Sequence, residues 1–244
     1  MSQRVLVFPA GTSSGNTYQL IRCALSSDFF TSAVILQTGA TKDPSERIVN
    51  FVKEQHPDFL ISTLPVTDFQ NSLPTMFAGD TKFHFVVGPS TTENQLLVFS
   101  GLISFTNPTF WIIHEKHETG GLNDRSLRCF SHKQSFPLEW VSEEEILPIL
   151  SKKVQNLVRK NNVQWDGKTA RFSYEIKFPK KLLHRGKVSQ RKWEQKQYIL
   201  IHELRKALGI HGLIVTHAPI PQAWQASGSV ERRFAAREIR RKQS

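Results

Sequence analysis

Apolar and polar positions alternate in blocks along the first half of the chain. Short, nearly continuous apolar runs fall at Val5–Phe8, Ser32–Gln37, Phe59–Leu64, Phe83–Val87 and Thr109–His114. Runs of this length, apolar on both sides, predict strands buried under helices, as parallel strands are. Between them lie segments with apolar residues at helical spacing, which predict helices over Thr17–Ser27, Ser45–Gln55 and Glu93–Phe105. Thr67–Met76 fits neither period. This alternation predicts an α/β fold, a Rossmann-like and mostly parallel sheet with helices on both faces.

The second half carries a different pattern. Ser142 followed by Glu145 is a helix-start signature, and the acidic run Glu143–Glu145 suits the positive end of a helix dipole. That helix is expected to continue through the basic segment to Arg159. "NNVQWDGK" predicts a turn with Asp166-Gly167 at its tip. "TARFSYEIKF" alternates as a strand does, "SQRKWEQKQYILIHELRKALG" predicts a long helix stopped at Gly209, and "IHGLIVTHAP" predicts another strand. The expected organisation is a Rossmann-like domain over residues 1–140 and a smaller basic α+β domain over 141–244.

Charge sharpens that division. Residues 1–150 hold 10 Lys+Arg and 15 Asp+Glu, a net of 10 − 15 = −5. Residues 151–244 hold 22 and 6, a net of 22 − 6 = +16. A polyanion is the natural partner of so basic a segment. Clusters at Lys180, Lys181, Arg185 and Lys187 and at Arg232, Arg233, Arg240 and Arg241 are the expected nucleic-acid contacts, with Trp193 and Tyr198 available for stacking on bases. A basic docking surface for an acidic protein is the competing reading.

Other chemistry is thin. No apolar run reaches the roughly 20 residues of a membrane span. "MSQRVLVFPAG" runs straight into a strand and does not read as a signal peptide. Cys23 and Cys129 form no metal or redox spacing, so a reduced cytoplasmic setting is expected. "HEKHE" sets His114 and His117 on opposite faces of a strand, and no Walker loop or G-x-S-x-G element is present.

Two loops stand out. "PAGTSSGN" follows the first predicted strand and "VVGPSTTENQ" ends the fourth; each opens a helix and is rich in small residues and hydroxyls. A Ser/Thr helix cap explains either one alone. Two of them at the carboxyl ends of strands in one sheet point to a ligand crevice, with Gly11, Thr12, Ser13, Ser14, Asn16, Gly88, Ser90, Thr91 and Thr92 as its hydrogen-bonding residues.

The stretches "VLVFPAGTSSGNTYQLI" and "KFHFVVGPSTTENQLLVFSGLISFTNPTFWII" resemble CRISPR-associated Rossmann-fold (CARF) domains over roughly residues 1–135. In that family a strand ends in a Gly-Gly-Thr-Lys-like loop, then come a helix and a strand carrying an aromatic. Here Gly88, Pro89, Ser90 and Thr91 occupy the loop, and Trp111 sits in the strand. Thr91 stands where the family has lysine, which removes the group that a lysine-dependent ring-opening step would use. The resemblance implies a homodimer that binds a cyclic oligoadenylate across its two-fold axis, in prokaryotic antiviral defence. The second half has one feature resembling PD-(D/E)xK nucleases, Asp166 followed by Glu175 and Lys177 in "YEIKF". Glu175 and Lys177 share one strand face, and such a set would hold Mg²⁺ through Asp166 and Glu175. A solvated strand face accounts for the same spacing. A non-enzymatic nucleic-acid-binding or scaffold protein with a degenerate Rossmann-like core therefore stands as the alternative.

Overall fold

The apolar runs become the strands of one sheet. The computed structural model describes residues 2–160 except 12, 78, 89–91, 117–123 and 140, and beyond them three short strands. In chain order the elements are β1 (Gln3–Pro9), α1 (Ser14–Ser26), β2 (Ser32–Gln37), α2 (Lys42–Gln55), β3 (Leu60–Pro65), α3 (Phe69–Met76), β4 (Thr81–Val87), α4 (Thr92–Gly101, continued by a 3₁₀ turn at Leu102–Ser104), β5 (Thr109–Lys116), β6 (Asp124–Cys129), β7 (Ser135–Pro137), α5 (Glu143–Ile149) and α6 (Lys152–Lys160).

The strands stand in the order β3-β2-β1-β4-β5-β6-β7. The first five neighbours are parallel, and β6 and β7 add an antiparallel edge. Chain order runs outward from β1 in both directions, so the direction of winding reverses between β1 and β4. In an open α/β sheet that reversal opens a crevice at the carboxyl ends of the two strands. The doubly wound α/β expectation is met, and the edge strands β6 and β7 are additions to it.

Alternation along the strands feeds two cores. Leu6, Phe8, Ile35, Val86 and Trp111 pack with α1, α2, α5 and α6 on one side. Val5, Val7, Val34, Leu36 and Phe85 pack with α3 and α4 on the other. Helices therefore cover both faces. Val154 and Val158 of α6 lie in the first core, so this packing runs through residues on the C-terminal side of position 140.

Some local expectations shift. Thr67–Met76 resolves into α3, with Pro74 inside it. Ser142 and Glu145 form a complete capping box. The single helix expected through Arg159 is instead two. Leu150 takes an extended backbone, and Ser151 starts α6, its Oγ accepting from the N–H of Val154 at 3.4 Å. Beyond α6, β8 (Gln164–Trp165), β9 (Ala170–Phe172) and β10 (Ile214–Val215) form a small sheet. β8 and β9 pair antiparallel, as the predicted turn between them requires.

Candidate functional site

The first loop is organised by its own hydroxyls. Ser13 caps α1 in extended backbone, its Oγ accepting from the N–H of Asn16 at 3.3 Å, and its carbonyl accepts from the Thr17 hydroxyl at 3.1 Å. The helix starts at Ser14, three residues before the expected position, because this cap gathers Ser14 and Gly15 into the first turn. Gly11 and Ser14 are buried.

The second loop leaves β4 through Gly88, whose φ of +96° is a backbone state that a side chain strains. A β-carbon there would lie 4.0 Å from Ile113 Cδ1. Thr92 is the exposed first residue of α4. Thr12, Ser90 and Thr91 lie outside the described residues, as do Asp166, Glu175, Lys177 and all eight basic residues of the clusters at 180–187 and 232–241.

β1 and β4 are adjacent and parallel, paired from Gln3↔Thr81 to Val7↔Phe85. Both loops therefore leave the same edge of the sheet at the reversal point. Sequence reasoning placed them on one edge; the structure places them on neighbouring strands.

A residue absent from that reading reaches the first loop. Arg125 lies on β6 opposite Glu115 of β5. It shares its side of the strand with Leu127 and Cys129, which belong to the α1-side core. Its Nη1 donates to Asn16 Oδ1 at 2.8 Å and to Gln19 Oε1 at 2.7 Å. Its Nε sits 2.9 Å from Glu115 Oε1, an ion pair whose N–H points off the hydrogen-bond line. Burial pulls the Arg125 pKa below its ordinary value, and the Glu115 carboxylate opposes that shift. Asn16, expected as a ligand residue, thus has its side-chain oxygen on this guanidinium. Only the register of two strands and a contact spanning 109 residues reveal the group.

His84 and both cysteines are buried in the core. His84 Nδ1 accepts from Trp111 Nε1 at 3.1 Å within a cluster of Phe29, Phe30 and Phe136. Burial lowers its pKa to about 4, helped by the positive charges of Arg4 and Lys82. Cys23 and Cys129 are free and buried, and burial pushes the Cys23 thiol up to about 12, far from a reactive thiolate. Among the described residues no cluster of three or more His, Cys, Asp or Glu is placed to hold a metal, and no helix is long and apolar enough to cross a membrane. His114 is half-buried on β5; His117 lies outside the described residues.

No family model and no curated protein matches the chain. Solved structures resemble it loosely. A type III CRISPR defence DNA nuclease activated by cyclic oligoadenylate aligns with 71% of this chain and 31% of its own, at 9% identity and a TM-score of 0.47. Protein VC1899 from Vibrio cholerae aligns over 64% and 43%, at 9% identity and 0.45. Can2 from Sulfobacillus thermosulfidooxidans, solved with cyclic tetra-adenylate, aligns over 59% and 40%, at 10% identity and 0.39. The chain spans less than half the length of each.

Proposed function

We propose that this chain senses a cyclic oligonucleotide through a CARF-like domain and contacts nucleic acid through its basic C-terminal part, in prokaryotic antiviral defence. One observation carries the sensor reading: two hydroxyl-rich loops leave adjacent parallel strands at the point where the sheet reverses. Backbone N–H groups and hydroxyls there suit the phosphates and riboses of such a ligand. The ligand-binding set is Gly11, Thr12, Ser13, Ser14, Gly88, Ser90, Thr91 and Thr92, with Asn16 at its margin.

The reading includes a homodimer. α4 opens directly from the second loop, and its apolar residues are spread round the helix rather than gathered on one face. Leu96, Leu97, Phe99 and Ile103 stand exposed along α4 and its 3₁₀ turn. A second copy seated there would bring two crevices close together, which a cyclic ligand larger than one site needs.

Titration with cyclic tetra-adenylate and cyclic hexa-adenylate tests the sensor. Binding to the folded chain raises the melting temperature by linkage. Bulky residues at Thr12 and Ser90 should abolish the shift, and no shift in the parent chain with either ring would overturn the reading. The nucleic-acid half rests on the +16 charge of residues 151–244. With about 5 phosphate contacts, log affinity should fall against log salt with a slope of about −3.5 to −4.5. No binding to a labelled oligonucleotide at low salt would leave an acidic protein as the better partner.

A further inference from the structure

Neither loop of the crevice contains a lysine or arginine: Ala10–Asn16 has none, and Gly88–Glu93 has none and ends on a carboxylate. Phosphate recognition draws much of its strength from charge-assisted hydrogen bonds, and guanidinium is the group best shaped for them. We propose that Arg125 is the cation of the crevice, a ligand-binding residue carried on β6 rather than on either loop. The inference rests on the nucleotide reading above and names the charge that reading lacks.

Three features support it. Glu115 and Arg125 are cross-strand partners near the carboxyl end of β5, at the sheet edge from which both loops leave. From there the guanidinium reaches the first two turns of α1, through Asn16 and Gln19. The second loop leaves β4 beside the same strand: a β-carbon on Gly88 would lie 4.0 Å from Ile113 Cδ1, and Ile113 is two residues before Glu115. Second, the Arg125 side chain is only 10% exposed, and two of its three partners are neutral amide oxygens. Burying a cation against a single, partly exposed carboxylate is costly to keep for packing alone. Third, Nη1 is directed at Asn16 and Gln19 while Nε lies beside Glu115, and among the described residues none accepts from Nη2. Donors on the fork remain for a phosphate.

The competing role is a brace that pins α1 to β6. The two roles predict opposite signs for one variant. Glu115→Gln removes the countercharge and leaves the guanidinium in place. If Arg125 meets the ligand's phosphate, Glu115→Gln tightens anion binding while Arg125→Gln weakens it at least tenfold. If Arg125 is only a brace, both variants weaken binding together and lower the melting temperature together.

The experiment is calorimetric titration of the full chain with cyclic tetra-adenylate and, separately, inorganic pyrophosphate, at two salt concentrations. Arg125→Gln should also flatten the salt dependence, because it removes the screened charge. Gln19→Leu removes one brace contact and no charge; it should lower the melting temperature and leave the affinity close to the parent's. If Arg125→Gln does not fold, Arg125→Lys keeps the charge without the fork and should lose part of the affinity. Pyrophosphate binding without cyclic tetra-adenylate binding would sink the nucleotide reading and still judge Arg125. Unchanged affinity in Arg125→Gln, a loss in Glu115→Gln, or a parent that binds neither probe would each overturn the proposal.

Discussion

On one side of the sheet, α1, α2, α5 and α6 bury their apolar stripes in a single core, and polar contacts tie α1 and α2 to α5. Arg22 reaches Glu139 at 3.3 Å and Glu145 at 3.2 Å, and Arg47 Nε donates to the Ile149 carbonyl at 3.0 Å. On the other side, α3 and α4 cover a smaller core, and α4 with its 3₁₀ turn exposes four large apolar side chains. The first side buries its apolar stripes within the chain, whereas the second leaves a row of large apolar side chains exposed. The candidate crevice opens between them, where α1 and α4 both begin.

The largest effect is expected on the completed side. Leu20 of α1 is fully buried there. Leu20→Ala should destabilise the fold by about 2–5 kcal/mol, the usual range for emptying a packed leucine site. Denaturant unfolding measures it; a loss below about 1 kcal/mol would show that this core is not the main support of the domain.

The same side carries an acid weakness. His84 is buried as the neutral ring, with its pKa lowered to about 4 from 6.5. The unfolded chain takes up a proton that the folded chain refuses, so stability is lost as pH falls from about 6.5 towards about 4. The limiting loss is on the order of 3 kcal/mol. Subtracting the pH profile of a folded His84→Gln variant from that of the parent should expose this slope, and parallel profiles would refute it.

How much of this was legible in the sequence depends on what each residue needed to be understood. Five strands were readable because Val5–Phe8 and its counterparts are apolar on both sides, a pattern that local order alone fixes. The capping box at Ser142 and Glu145 was readable because all its partners lie within four residues. β6 was not: "DRSLRC" alternates around only Leu127 and Cys129, and its charged residues read as loop until β5 lies beside it. α3 was obscured by Pro74. The break at Leu150 was hidden because Lys152–Lys160 keeps a helical period, and the interruption comes from the cap at Ser151. Of the site, the two loops were visible as composition. Their adjacency needed the strand order, and Arg125 needed its contacts with Asn16 and Gln19, distant in the chain, and its pairing with Glu115.

A smaller effect is expected where α4 meets α3. Gly101 is buried, and a β-carbon there would overlap the Phe69 ring, which stacks on Phe105 with centroids 6.0 Å apart. Gly101→Ala should cost about 1–3 kcal/mol by overpacking, despite the better helix propensity of alanine. An unchanged or raised melting temperature would show that the Phe69 and Gln70 side chains move aside freely. That outcome would make the α4 side looser still than the comparison supposes.

The smallest effect on stability should come from the exposed residues of α4. Leu96 is 63% exposed and Ile103 is 90% exposed. A charge at either position meets water in the isolated chain, so Leu96→Asp and Ile103→Asp should each change monomer stability by less than about 0.5 kcal/mol. Association should respond far more. An apolar patch buried against a second copy loses its partner when a carboxylate is placed in it, and desolvating an unpaired charge is costly. Sedimentation at micromolar concentration should find the parent dimeric and the double variant monomeric, with the same melting temperature when both are diluted to monomers. A parent that remains monomeric at the highest soluble concentration, with or without cyclic tetra-adenylate, would mean that no second copy covers α4. The difference between the two sides of the sheet would then have to be explained by some other partner.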